Sequence, residues 1–169
     1  MARELLIGTG SSVRRKILVE MGFNCARSVM TADLDERALG SRSSDQDAPD
    51  LVTLLAKAKA DEITRQILVQ HPDEAERQVH FPSLLLTADS VATFEGQILE
   101  KPDSPEQAAS FLRGYGSGSP MSIVTGVCVT NLWSGVQAQV RSTGGGEGWI
   151  SQCASLSVCS LSVRESDER

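Results

Sequence analysis

The stretch LLLTADSVATFEGQILEKP, residues 84–102, decides how this chain is read. Leu84, Leu85 and Leu86 open an apolar run that reads as a buried strand over residues 84–88, and Asp89 follows where that strand is expected to end. Ligands of open α/β sheets gather at the carboxyl ends of strands, so a carboxylate there can hold a divalent metal or take a proton from attacking water. The plainer reading makes Asp89 a turn residue bonded to the backbone around Ser90. Residues 91–94 and 97–100 flank Glu95-Gly96, a spacing that predicts a tight hairpin. Lys101 then stands before Pro102, which biases it to an extended backbone and so to a fixed position.

Working outward, residues 4–8 read as a short buried strand and residues 13–21 as a helix with Ile17, Leu18 and Met21 on one face, ended by Gly22. Between them lies GTGSSVRR, residues 8–15. It lacks the Gly-Lys-Ser/Thr of a P-loop, and Val13 stands where a dinucleotide fingerprint needs its third glycine. Small residues before a helix still expose backbone N–H groups to an anion, and Arg14 and Arg15 can add bidentate contacts to phosphate. A solvated arginine pair on a capped helix fits the same residues.

Residues 24–30 read as a second strand, Asp33, Asp35 and Glu36 as an acidic loop, and residues 40–47 as a polar, mobile segment. Leu51, Leu54, Leu55, Ala58, Ile63 and Ile67 recur at helical spacing over residues 49–68, with Pro49 suited to the first turn. Lys57 and Lys59 on that helix are about 200° apart, so only one can face a given site, and solvent is the ordinary fate of each. Residues 70–82 read as an exposed connection. Ser104 caps a helix to about Arg113, residues 121–132 form a long strand, and Gly135 turns it back into a strand over residues 136–140. The alternation predicts an α/β fold, a mixed twisted sheet flanked by helices. A domain over residues 1–140 and a Ser/Gly-rich, disordered tail over residues 141–169 are expected.

The 169 residues suit one domain, and no apolar run approaches the roughly 18 residues that would span a bilayer. No export signal is readable, so a soluble, cytoplasmic protein without a membrane partner is expected. The net charge of −6 argues against a nucleic-acid-coating surface. Cys25, Cys128, Cys153 and Cys159 lack CxxC spacing and read as free thiols in a reducing compartment.

Taken together, GTGSSVRRKIL, Asp35-Glu36, LLAKAKA at residues 54–60, TADSV at 87–91, LEKP at 99–102 and VTGVCV at 124–129 resemble the Maf family, in that order and over about residues 4–140. Its members, also called septum-formation-inhibitor-like proteins, are nucleoside triphosphate pyrophosphatases of the inosine triphosphatase-like (Maf/Ham1) fold. The resemblance implies release of pyrophosphate and a monophosphate from a nucleoside triphosphate, dTTP, UTP or a modified nucleotide. It makes Asp89 the proton acceptor for water and a metal ligand with Glu36. It assigns Ser11, Arg14, Arg15, Lys59, Ser90, Lys101 and Thr125 to substrate binding, with Thr125-Gly126 letting the backbone come near the nucleotide. The implied cofactor is a divalent cation, Mg²⁺ or Mn²⁺, and the implied assembly a homodimer.

The departures carry expectations of their own. Thr9-Gly10 and Ser12-Val13 stand where many members are Ser-rich or read Ser-Pro-Arg-Arg, which leaves the register of Arg14 and Arg15 open by one position. The family's later strand, helix and AGxYxIQG segment do not follow Arg141. A shortened, catalytically weak nucleotide-binding protein is therefore the alternative to a working enzyme.

Overall fold

The computed structural model describes residues 3–24, 29–100, 102–115 and 121–145. The stretch around Asp89 is one uninterrupted strand, β4 (Leu84–Phe94). Asp89 is therefore mid-strand, which corrects the expectation of two short strands with the carboxylate past the end of the first. The physical reason is its neighbour β6 (Met121–Asn131), which pairs antiparallel with β4 along its whole length, from Leu84 opposite Asn131 to Phe94 opposite Met121. That continuous ladder outweighs the local turn preference of Asp-Ser.

The opposite edge of β4 is paired in two pieces. The short strand β2 (Leu6–Gly8) lies parallel to residues 85–87, and β5 (Gln97–Leu99) lies antiparallel to residues 92–94. Among the described residues no strand pairs with residues 88–91 on this edge, which leaves a gap with Asp89 inside it. The hairpin between β4 and β5 forms as expected, with Glu95 at φ 48° and Gly96 at φ 78°, both left-handed as a two-residue turn of this kind requires.

On the far side β7 (Gln137–Gly145) pairs antiparallel with β6. It outruns the strand expected over residues 136–140, so the domain boundary expected at 140 falls within it; residues 146–169 lie outside the described residues. A separate two-stranded parallel ribbon joins β1 (Arg3–Glu4) to β3 (Phe23–Asn24). Of the strand expected over residues 24–30, Asn24 ends β3 and Val29 makes an isolated bridge to Ile7, while residues 25–28 are outside the described set.

Ser11 caps α1 (Ser12–Glu20) by accepting the Arg14 backbone N–H at 3.3 Å. The long helix α2 (Ala48–Gln70) packs Ala56, Ala60, Ile63 and Ile67 with Leu6, Leu85 and Cys128 on one face of the sheet. Leu54, counted on its apolar face, is exposed instead. Leu18 of α1 packs with Leu5, Ile7, Leu84 and Leu86 on the other face. The connection expected over residues 70–82 holds a helix, α3 (Glu74–His80), whose N-cap Asp73 accepts the Glu76 N–H at 3.0 Å. Acids in its first turn and Arg77 and His80 in its last complement the helix dipole, but it buries no residue and so has no apolar periodicity to announce it. The last helix, α4 (Pro105–Tyr115), starts as predicted, with the Gln107 N–H on the Ser104 hydroxyl at 3.1 Å.

The segment expected to be mobile, residues 40–47, is tied down. Asp47 accepts the Ser41 hydroxyl at 2.6 Å and the Ser43 N–H at 2.9 Å, and the Asp45 N–H reaches the Gly96 carbonyl at 3.0 Å. The last of these bonds joins the loop to the hairpin turn. No helix among the described residues is long and apolar enough to cross a membrane.

Candidate functional site

The site assembles around the gap in the β4 edge, and the period of two along a strand divides it between the two faces of the sheet. Leu85, Thr87 and Asp89 point toward α2. Leu84, Leu86 and Ser90 belong to the face that α1 covers at its start.

On the α2 face the Lys59 ammonium lies 2.6 Å from Asp89 Oδ1 and 3.0 Å from Glu36 Oε1. Lys59 and Asp89 are 13% and 12% exposed, Glu36 47%. Two contacts set where Lys59 stands. The Thr87 hydroxyl donates to the Ala56 carbonyl at 2.6 Å, one helical turn before Lys59. A Cβ on Gly126 would lie 2.5 Å from the Val52 carbonyl oxygen and 2.8 Å from the Thr53 nitrogen, so only glycine lets α2 sit this close to the sheet. On this face, what approaches Gly126 is the backbone of α2. The side chain of Lys59, slanted toward the helix N-terminus as helical side chains are, reaches back to Asp89. Lys57 points away and pairs with Asp61 at 2.6 Å, as the wheel position required.

On the other face Arg14 spans the gap. Its guanidinium donates to the Ala88 carbonyl at 2.9 Å, the Ser90 hydroxyl at 2.9 Å and the Thr9 hydroxyl at 3.3 Å. Ser90 and Thr125, opposite each other in the ladder, share a hydroxyl hydrogen bond of 2.9 Å. The carbonyl that β2 would have taken had it run on is thus met by a side chain. Arg15 is exposed on α1, and the Ser11 oxygen is engaged as the helix cap, which leaves its O–H to donate.

Of the residues expected at the site, the fold brings Glu36, Lys59 and Asp89 together on one face of β4 and Arg14, Ser90 and Thr125 on the other, with Ser11 beside the latter group. Lys101 lies outside the described residues. Thr9 was expected only as part of the GTGSSVRR loop, and Thr87 and Arg42 were given no role. Thr87 had a signal, a hydroxyl inside an apolar run, whereas nothing local marks Arg42.

Among the described residues no group of three or more His, Cys, Asp or Glu could hold a metal ion. A full protein cage is therefore not built here. Glu36 and Asp89 nonetheless both lie within 3.0 Å of one nitrogen, and Mg²⁺ typically takes one or two carboxylates, waters and the substrate's own phosphates. The two carboxylates fit a cation that phosphates complete, provided Lys59 yields its place.

These features define an α/β protein with a lysine-bridged pair of carboxylates at a break in its sheet. Similarity to known proteins is specific. The model of the Maf-like proteins matches residues 4–145, and the chain belongs to that family. The 7-methyl-GTP pyrophosphatase of Dictyostelium discoideum is 30% identical over 134 residues, covering 79% of this chain and 62% of the relative. The dTTP/UTP pyrophosphatase of Idiomarina loihiensis is 30% identical over 141 residues, 82% and 60% of the two chains. A nucleoside triphosphate pyrophosphatase of Chlamydia muridarum is 29% identical over 127 residues, 74% and 55%. The chain spans about three fifths of the length of these curated relatives.

Proposed function

We propose that the chain hydrolyses a nucleoside triphosphate to the monophosphate and pyrophosphate, with Asp89 as the proton acceptor for water. The observation that carries this reading is the gap at residues 88–91, where a ligand lying across the strand edge meets Asp89, Lys59 and Glu36 from one face and Arg14, Ser90 and Thr125 from the other. The names of the relatives support it and suggest dTTP, UTP and 7-methyl-GTP as the substrates to try first.

In this reading the arriving triphosphate takes the Lys59 ammonium from the two carboxylates, because a polyanion competes for the cation. Asp89, released, orients the water and accepts its proton. A divalent cation, Mg²⁺ or Mn²⁺, bound by Glu36, Asp89 and the phosphates, would draw negative charge from the departing pyrophosphate. Arg14 holds the Ser90 and Thr125 hydroxyls in place to bond the nucleotide, while Ser11, Arg15 and Lys101 add donors to the phosphates. With the reading go a cytoplasmic protein, free nucleotide as the partner, and assembly as a homodimer.

A second reading, a nucleotide-binding protein with weak turnover, is favoured by one observation: Asp89 is held by Lys59 at 2.6 Å. If the lysine does not leave, the base cannot act. Pyrophosphate release from dTTP, UTP and 7-methyl-GTP with Mg²⁺ or Mn²⁺ decides between them. The enzyme reading expects turnover that falls by about 10²- to 10⁴-fold in Asp89→Asn, the usual weight of a general base. Folded protein that binds nucleotide and releases no pyrophosphate establishes the second reading.

A further inference from the structure

We infer that Arg42 is a positioning residue for Glu36, an inference that rests on the proposed pyrophosphatase site. Glu36 opens a three-residue 3₁₀ turn, Glu36–Ala38, capped by Asp35 through the Arg37 N–H at 3.1 Å. The turn's own backbone bonds, Ala38 N–H to Asp35 at 3.2 Å and Leu39 N–H to Glu36 at 3.3 Å, are long. A single turn of this type is poorly held by itself. Yet in the proposed site its carboxylate must stay beside that of Asp89, both within 3.0 Å of one nitrogen here, and a displacement of about 1 Å at a reacting centre can cost about 100-fold in rate.

Arg42 supplies the missing hold. The chain reverses at Gly40, at φ 75°, and brings the Arg42 guanidinium back over the turn it has just left. There it donates to the Glu36 carbonyl at 2.7 Å and to the Leu39 carbonyl, and its Nε pairs with Glu100, one residue past the end of β5. The side chain is 22% exposed. The fixed fork of one guanidinium thus ties both ends of the Glu36 turn to the sheet, which a lysine could not do with one nitrogen. Arg37 also reaches Glu100 and Asp103, at 3.7 and 3.2 Å, but it is 70% exposed and such surface pairs hold little.

Two measurements test this. Hydrogen–deuterium exchange on the full chain needs no activity: Arg42→Gln is expected to speed exchange in the peptide covering residues 36–42, Arg42→Lys to speed it less, and both to leave β4 and β6 unchanged. Unchanged exchange in residues 36–42 overturns the clasp. A double-mutant cycle on pyrophosphate release then tests positioning: Arg42→Gln is expected to lower kcat about tenfold with Glu36 present and less than about twofold in a Glu36→Gln background. Equal losses in both backgrounds mean that Arg42 does not act through Glu36 and overturn the inference. If the unaltered chain releases no pyrophosphate the proposed function fails, while the exchange result still decides the clasp.

Discussion

Gly126→Ala tests how the fold sets the site, because the added methyl has nowhere to go. A Cβ there would meet the Val52 carbonyl oxygen at 2.5 Å, the Val52 carbonyl carbon at 2.6 Å and the Thr53 nitrogen at 2.8 Å. These are helix backbone atoms, which cannot swing aside as a side chain would. To restore ordinary contact at about 3.4 Å, α2 must move off the sheet by roughly 0.9 Å near Val52. The shift loosens Ala48, Val52 and Val124, which pack together at this end of the core. Overpacking of this kind costs about 1–3 kcal/mol. At about 3 °C per kcal/mol for a chain of this size, Tm should fall by about 3–9 °C. Lys59 rides on the same helix, so its 2.6 Å bond to Asp89 is strained by the same movement and pyrophosphate release should fall by more than the unfolded fraction explains. Differential scanning calorimetry and the release assay, run together, measure both. Gly10→Ala is the control, since its nearest neighbour, Thr31 Cγ2, would be 3.9 Å from the new Cβ. A Gly126→Ala protein with the Tm of the unaltered chain would falsify the account of why α2, and hence Lys59, sits where it does.

Lys59→Met removes the cation from between two carboxylates, one of them nearly buried, and is expected to cost about 3 kcal/mol in urea denaturation. Asp89→Asn should cost clearly less, because Lys59 keeps Glu36 at 3.0 Å; the reverse order would show that the pair is not held as described. Thr87→Val deletes a buried hydroxyl donated to the Ala56 carbonyl and should lose about 1 kcal/mol, read by the same denaturation; no loss would mean the bond does not anchor α2. Glu62, which accepts two bonds from Arg65 and one from Gln66, has its carboxyl pKa lowered from 4.5 to about 2. Since the folded value lies below the unfolded one, its contribution is present above pH 4.5 and is lost as pH falls toward 2. Carboxyl NMR titration checks this, and a Glu62 midpoint near 4.5 would refute it.

The cluster of Glu36, Lys59 and Asp89 was legible through its motifs, an acidic pair, a lysine on the long helix and Thr-Ala-Asp-Ser after an apolar run. The long helix, the Glu95-Gly96 turn and the Ser104 cap were legible from local physics, since each rests on periodicity or on a hydrogen bond between near neighbours. The continuity of β4 through Asp89 was not, because it depends on an eleven-residue ladder with a strand that begins only at Met121, well beyond the end of β4 at Phe94. With β4 broken in two, the division of Asp89 and Ser90 between opposite faces could not be seen either. Gly126 illustrates the same limit: its sequence says that something comes close, and only the packing says that the visitor is Val52. Arg42 lies in a polar segment that looks loose, and its acceptors, two backbone carbonyls and Glu100, leave no trace in composition.

The gap in the β4 edge has a cause in the sequence, and the cause also explains why it does not recruit another strand. At Gly8 a Cβ would meet Thr87 Cγ2 at 2.5 Å and Ile63 Cδ1 at 2.7 Å, so β2 ends on a glycine squeezed between sheet and helix. The chain then leaves into Thr9, Gly10 and Ser11, and pairing resumes on this edge only at Ala92. Four residues of open edge measure about 13 Å, enough for a foreign strand to begin pairing. Arg14 closes that route by placing a guanidinium on the Ala88 carbonyl, and charge on an edge is a common defence against edge-to-edge association. The defence leaves the gap open to a small anion, because the blocking group is a cation with hydroxyls beside it rather than a strand. One arginine thus both protects the edge and gives it the polarity that a nucleotide would need.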